Sequence, residues 1–187
     1  MHRLDACDPA SRAFAVVAEE MCAARGTRQE RTIDMDRGAI TNWNADTGTI
    51  TTDSGALINA PFSPVARYEL EAKPTATTPE ELLAAAYAAC FTMTLAERLA
   101  AAGYPSPVLR TEARVQFVRP SGYWEIPAVR VHCSAGVAGI SEQEFLAIAH
   151  AARLQGPIAR ALRAEVTLTV SLDSMPGREW HLPLQRA

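Results

Sequence analysis

A chain of 187 residues is long enough for one well-buried core with additional terminal segments. It is 48% hydrophobic and 21% charged with a formal net charge of -3, which fits a soluble globular protein and offers no basic footprint for nucleic acid. The four cysteines, Cys7, Cys22, Cys90 and Cys133, follow no regular spacing and no patterned histidines accompany them, so neither a disulfide scaffold nor a metal site is expected.

Asp8-Pro9 reads as an N-cap and first helical position, with Phe14, Val17, Ala18 and Met21 forming a narrow apolar face that ends near Gly26. The apolar part of this segment, Ala13 to Ala18, is too short for a signal segment and runs directly into Glu19 and Glu20, so a cytoplasmic location is expected. The polar stretch that follows reads as a linker, making 1–37 an N-terminal extension, and Met35 offers an alternative start.

From Ala39 the pattern changes. AITNWNADTGTITTDSG places β-branched and aromatic residues on both sides of Asp46-Thr-Gly48, which predicts an antiparallel hairpin. A loop carrying Pro61 and Pro64 follows, and Arg67-Tyr-Glu-Leu70 reads as a further short strand.

Thr78-Pro79-Glu80-Glu81 is a capping box with proline at the first helical position, and Gly103 marks the stop, so a long helix is expected between them. Its middle, LLAAAYAACFTMTLA, is apolar on every side and calls for cover by a sheet or a second subunit. The uncharged run from Leu82 to Ala96 falls short of the roughly 20 residues a bilayer span needs, and Glu80, Glu81, Glu97 and Arg98 flank it, so no membrane insertion is expected.

Leu109 to Val118 alternates in polarity, with Thr111, Ala113, Val115 and Phe117 on one face, and a Pro-Ser-Gly turn leads to a second strand over Trp124 to Cys133. Alternation turns His132 and Cys133 to opposite faces, which argues against a working pair. Ser141-Glu-Gln-Glu144 opens another helix, interrupted at Gly156-Pro157, and EVTLTVSL over Glu165 to Leu172 alternates as a closing strand. Residues 174–187 read as a tail.

On its own, Cys90 reads as a small core residue, because free cysteine is among the most buried residue types. A reactive thiolate needs a cation or helix N-terminus beside it, and Cys90 lies three turns into its helix. Any activating cation has to come from elsewhere in the fold. Tyr87 lies three positions before Cys90 and shares its face, and Phe91 and Met93 add bulk; these three suit either ordinary packing or an apolar pocket.

TPEELLAAAYAACFTMTLAERLAAAGY resembles the central helix of the OsmC/Ohr family, osmotically induced proteins and organic hydroperoxide reductases. The resemblance continues through AITNWNADTGTI, ARYELEA, the strand pair, GISEQEFLAIAHAA and EVTLTVSL, covering residues 38–173. It implies an α+β fold, antiparallel sheets packed around two long central helices in an intertwined homodimer, with active sites at the subunit interface. It also implies a thiol-dependent peroxidase for organic or lipid hydroperoxides that needs no cofactor and protects against oxidative stress.

Under that resemblance Cys90 is the peroxidatic thiol, Arg67 its activator and Glu80 the residue that orients the arginine. Glu80 precedes Cys90 by about 15 Å along the helix axis, so only a long side chain could link the two. A permanently charged guanidinium would stabilise the thiolate and polarise the peroxide, leaving an alcohol and a cysteine sulfenic acid. The chain departs from the family where a second, resolving cysteine usually precedes a proline. Leu154-Gln155-Gly156-Pro157 stands there, and an ungapped alignment from Gly139-Ile140 puts Gly156 at that position. The usual internal disulfide therefore cannot form. Resolution is left to an external thiol reductant or to Cys22, Cys7 or Cys133, or the protein is a noncatalytic member that binds an apolar ligand or senses oxidants through Cys90.

Overall fold

The computed structural model describes residues 35–44, 47–68, 76–105 and 107–172, the side chains of Arg67 and Tyr68 excepted. Cys7, the expected N-terminal helix with its Cys22, and the C-terminal tail lie outside the described residues. Two three-stranded sheets and four helices make up the described part.

The first sheet holds β1 (Ala39–Asn44), β2 (Thr47–Thr52) and β3 (Ala60–Phe62), all antiparallel. The expected hairpin is β1 and β2. Close approach explains Gly48: a Cβ there would lie 2.3 Å from the Phe62 ring, which also stacks at 5.8 Å on Trp43. β3 carries Pro61, which an edge strand tolerates, and the Pro61 carbonyl accepts from the Thr77 amide at 2.9 Å.

Arg67 does not begin a strand. Val65–Tyr68 is a short helix, α1, because Ser63 caps it, its Oγ accepting from the Val65 amide at 3.1 Å, and Pro64 supplies a helical φ just ahead. The dipeptide read as a loop is thus a helix start.

α2 (Pro79–Ala101) is the long helix. Thr78 caps it by accepting from the Glu81 amide at 3.2 Å, and Gly103, at φ +98°, ends it where the Tyr104 amide turns back to the Leu99 carbonyl at 2.8 Å. By length and composition alone this helix could cross a membrane. It packs instead on β4 and α3, and burial follows one stripe, Tyr87, Phe91, Leu95 and Leu99. The expectation of burial on every side is not met within one chain: Ala85, Ala86, Ala89 and Met93 face outward, Met93 with 73% exposure.

β4 (Val108–Val118) and β5 (Glu125–Gly136) form the expected second hairpin, with a bulge between Gln116 and Val118. α3 (Glu142–Gln155) starts at Ser141, whose Oγ accepts from the Glu144 amide, and stops at Gly156; α4 (Pro157–Ala161) follows at once. The second helix is therefore 14 residues long, because Pro157 cannot donate into its last turn. β6 (Glu165–Leu172) then joins β5 in parallel, so the sheets are not wholly antiparallel as expected. The α3–α4 crossover carries the chain back to the end at which β5 starts, the connection a parallel pair requires.

The core lies between α2, α3 and the inner face of β4–β6. Leu95, Leu99, Val129, Cys133, Ala135 and Ala149 have no solvent exposure. Side chains pin α2 to the sheet: Thr92 Oγ1 and Thr111 Oγ1 share a hydrogen bond at 2.7 Å, and Thr111 Oγ1 lies 3.7 Å from Cys133 Sγ. At the far end Tyr104 Oη donates to Glu144 Oε2 at 3.0 Å, joining α2's exit to α3.

Candidate active site

Cys90 sits mid-way along α2 and faces the junction of α3 and α4. The break at Gly156-Pro157 creates that junction. A Cβ built on Gly156 would lie 3.0 Å from Cys90 Sγ and 3.5 Å from Thr94 Oγ1, so glycine is what lets the α3–α4 corner approach the sulfur. The mid-helix threonines that follow Cys90 do not compete for the thiol, because Thr92 and Thr94 donate to the carbonyls of Ala88 and Cys90, at 2.8 and 2.9 Å.

Tyr87, Cys90 and Phe91 from α2, Ala152 and Arg153 from α3, and Gly156 and Ala159 at the corner line a narrow crevice too tight to hold a water molecule. Phe91 and the alanines make its wall apolar. Tyr87 is 1% exposed, and its Oη has no hydrogen-bond partner among the described residues; burial pushes the phenol up, the Arg153 charge pulls it down and Cys90 adds a smaller upward push. The phenol is therefore a neutral O–H donor at physiological pH. Arg153 donates through Nη1 to the Val166 carbonyl at the start of β6, while its Nε is buried without a partner.

Of the residues singled out in the sequence, Cys90, Tyr87, Phe91 and Gly156 come together in this crevice, whereas Met93 stays outside it on the exposed face of α2. Glu80 lies in the first turn of α2, half-buried, with its carboxylate at the helix end that favours negative charge. The Arg67 backbone belongs to α1; its side chain lies outside the described residues. Cys133 cannot take the place of a resolving thiol from where it stands. It is fully buried against Thr111, on the Thr92 face of α2, and Thr92 lies two residues, or about 200°, around the helix from Cys90. Burial also pushes the Cys133 thiol up, keeping it protonated and inert, with the Thr111 hydrogen bond opposing weakly.

Arg153 is the residue that sequence reasoning missed. Its signal was available: it stands three positions before Gly156, one helical turn back on the same face of α3. Among the described residues no cluster of histidine, cysteine and carboxylate side chains could hold a metal ion.

Cys90 thus stands at mid-helix, opposed by a helix corner and walled by apolar side chains. The family model described as OsmC-like protein matches residues 72–171. The chain is 34% identical over 137 residues to peroxiredoxin OsmC of Escherichia coli (strain K12), covering 71% of this chain and 94% of that protein. Among solved structures it is similar to the organic hydroperoxide resistance protein OhrB of Bacillus subtilis, with TM-score 0.54, 25% identity, and coverage of 74% of this chain and 98% of that one. It is similar also to an organic hydroperoxide resistance protein from Elizabethkingia anophelis, with TM-score 0.59, 25% identity, and coverage of 76% and 100%. The chain belongs to the OsmC-like family, and its mixed helix and sheet fold is that of the OsmC/Ohr proteins.

Proposed function

We propose that this protein is a thiol-dependent peroxidase that reduces organic or lipid hydroperoxides to alcohols. The observation that carries the reading is the placement of Cys90 Sγ in an apolar-walled crevice against Gly156, in a family whose relatives are named peroxiredoxin and hydroperoxide resistance protein. In this reading the Cys90 thiolate attacks the terminal oxygen of the hydroperoxide. An S–O bond forms, the O–O bond breaks, sulfur is oxidised to the sulfenic acid, and the departing alkoxide takes a proton to become the alcohol. Arg67 supplies the cation that lowers the cost of the thiolate, and Glu80 orients Arg67.

With Gly156 in place of a second cysteine, an external thiol attacks the sulfenic acid and a further thiol releases the mixed disulfide. No cofactor enters this cycle, and the cytoplasm, rich in reduced thiols, is its proposed setting. The assembly proposed is a homodimer. Its support is the uncovered side of α2, where Ala85, Ala86, Ala89 and Met93 form an apolar strip that a second copy would bury.

Gly156 also favours a second reading, in which the protein binds an apolar ligand or senses oxidants through Cys90 without turning over. Intact mass after one equivalent of tert-butyl hydroperoxide, beside Cys90→Ser, followed by peroxide consumption with added thiols, separates the two. Rapid addition of one oxygen at Cys90 with thiol-dependent turnover is the expected result; oxidation without turnover selects the sensor, and an inert Cys90 leaves only binding.

A further inference from the structure

Two polar groups in the Cys90 crevice lack the partners that buried donors ordinarily have. Tyr87 Oη belongs to a side chain that is 1% exposed, and Arg153 Nε is buried although the same guanidinium already holds the Val166 carbonyl. They come from different helices, α2 and α3, and converge on the crevice that also holds Cys90 and Gly156. A buried donor without an acceptor is costly to keep, so a pair of them beside one thiol points to an oxygen that arrives later. Gly156 borders the sulfur closely: a Cβ there would lie 3.0 Å from Sγ, so any side chain at this position would crowd it.

We propose that Tyr87 Oη–H and Arg153 Nε–H form a two-donor site for the oxygen carried on oxidised Cys90, so that the sulfenic acid is held until an outside thiol arrives. The inference rests on the peroxidase reading for the source of that oxygen, which comes from the hydroperoxide as its O–O bond breaks. Tyr87 offers a neutral hydroxyl and Arg153 a fixed charge, the combination that stabilises a polarised S–O bond and disfavours its attack by a second peroxide. In a two-cysteine enzyme such holding would be of little use, because the neighbouring thiol removes the sulfenic acid. Here the lifetime of that species sets how far the protein can wait for its reductant.

The test uses the full chain with Cys7 and Cys22 replaced by serine. The sulfenic acid is made with one equivalent of tert-butyl hydroperoxide in thiol-free buffer, and its survival is followed by dimedone trapping and intact mass. Tyr87→Phe keeps the ring in the core and removes only the hydroxyl; Arg153→Lys keeps a charge and a donor for Val166 but removes Nε. Loss of one hydrogen bond to a polarised oxygen should shorten the half-life roughly tenfold in each variant. Near-ultraviolet circular dichroism confirms that each variant is folded. Folded variants with unchanged half-lives would overturn the proposal. Should the organic peroxide leave Cys90 untouched, the peroxidase reading falls by itself, and sulfenic acid made with excess hydrogen peroxide still decides between the two half-life outcomes.

Discussion

A Cβ on residue 156 would stand 3.0 Å from Cys90 Sγ, a separation close to that between a Cβ and the far sulfur across a disulfide whose S–S length is about 2.04 Å. The α3–α4 corner therefore brings residue 156 within disulfide reach of the thiol, although a glycine occupies it. Gly156→Cys should close a disulfide with Cys90 on mild oxidation, seen as loss of two hydrogens by intact mass and reversed by reductant. Free thiols in both residues after peroxide treatment would count against this placement.

Arg67 and Glu80 are testable without reference to Gly156. Arg67→Ala should slow the oxidation of Cys90 by organic hydroperoxide by roughly 10²-fold, the scale of removing one fixed charge donor from a reacting centre. Glu80→Gln should lower the rate less, and Arg67→Lys should recover only part of it, since an ammonium lacks the planar fork. Stopped-flow measurement of the oxidation step separates these effects from reductant binding.

Cys133 should give the fold an alkaline pH dependence. Burial raises the Cys133 thiol in the folded protein, so the folded state keeps a proton there that the unfolded chain gives up. The associated stability is full below the unfolded thiol's value and is lost as pH rises beyond about 8.5 toward the folded one. Denaturant midpoints should fall across that alkaline range, and Cys133→Ala or Cys133→Val should flatten the fall. In native protein at pH 8, iodoacetamide should modify Cys90 and spare Cys133.

Leu95 carries the core contact of α2 with no exposure, and its replacement by alanine should cost about 2–5 kcal/mol in urea unfolding. Met93, two residues back, is 73% exposed and should give a different answer. Met93→Glu should change the stability of a dilute monomer by less than about 0.5 kcal/mol, yet weaken self-association measured by sedimentation velocity. Equal sedimentation of the two proteins at all concentrations would remove α2's open side as the dimer surface.

Local chemistry determined much of this protein by itself. Thr78-Pro79-x-Glu81 and Gly103 delimit α2, Ser141-x-x-Glu144 opens α3, Pro157 ends it, and the period of two over Glu165 to Leu172 makes β6, because caps, proline and alternation act within a few residues along the chain. The resemblance carried by the Thr78 to Tyr104 stretch, and by the segments around it over residues 38–173, pointed to the family. What a few residues cannot encode is which distant faces meet. The Ser63-Pro64 helix start overrode the strand pattern at Arg67 and Tyr68, the crossover made β6 parallel to β5, and one chain alone left one side of α2 uncovered. Tertiary packing alone brought Arg153 beside Tyr87 and set Gly156 against Cys90. Those pairings join residues more than 60 positions apart, where no short-range preference reaches and only the shared burial of α2, α3 and the second sheet decides the neighbours.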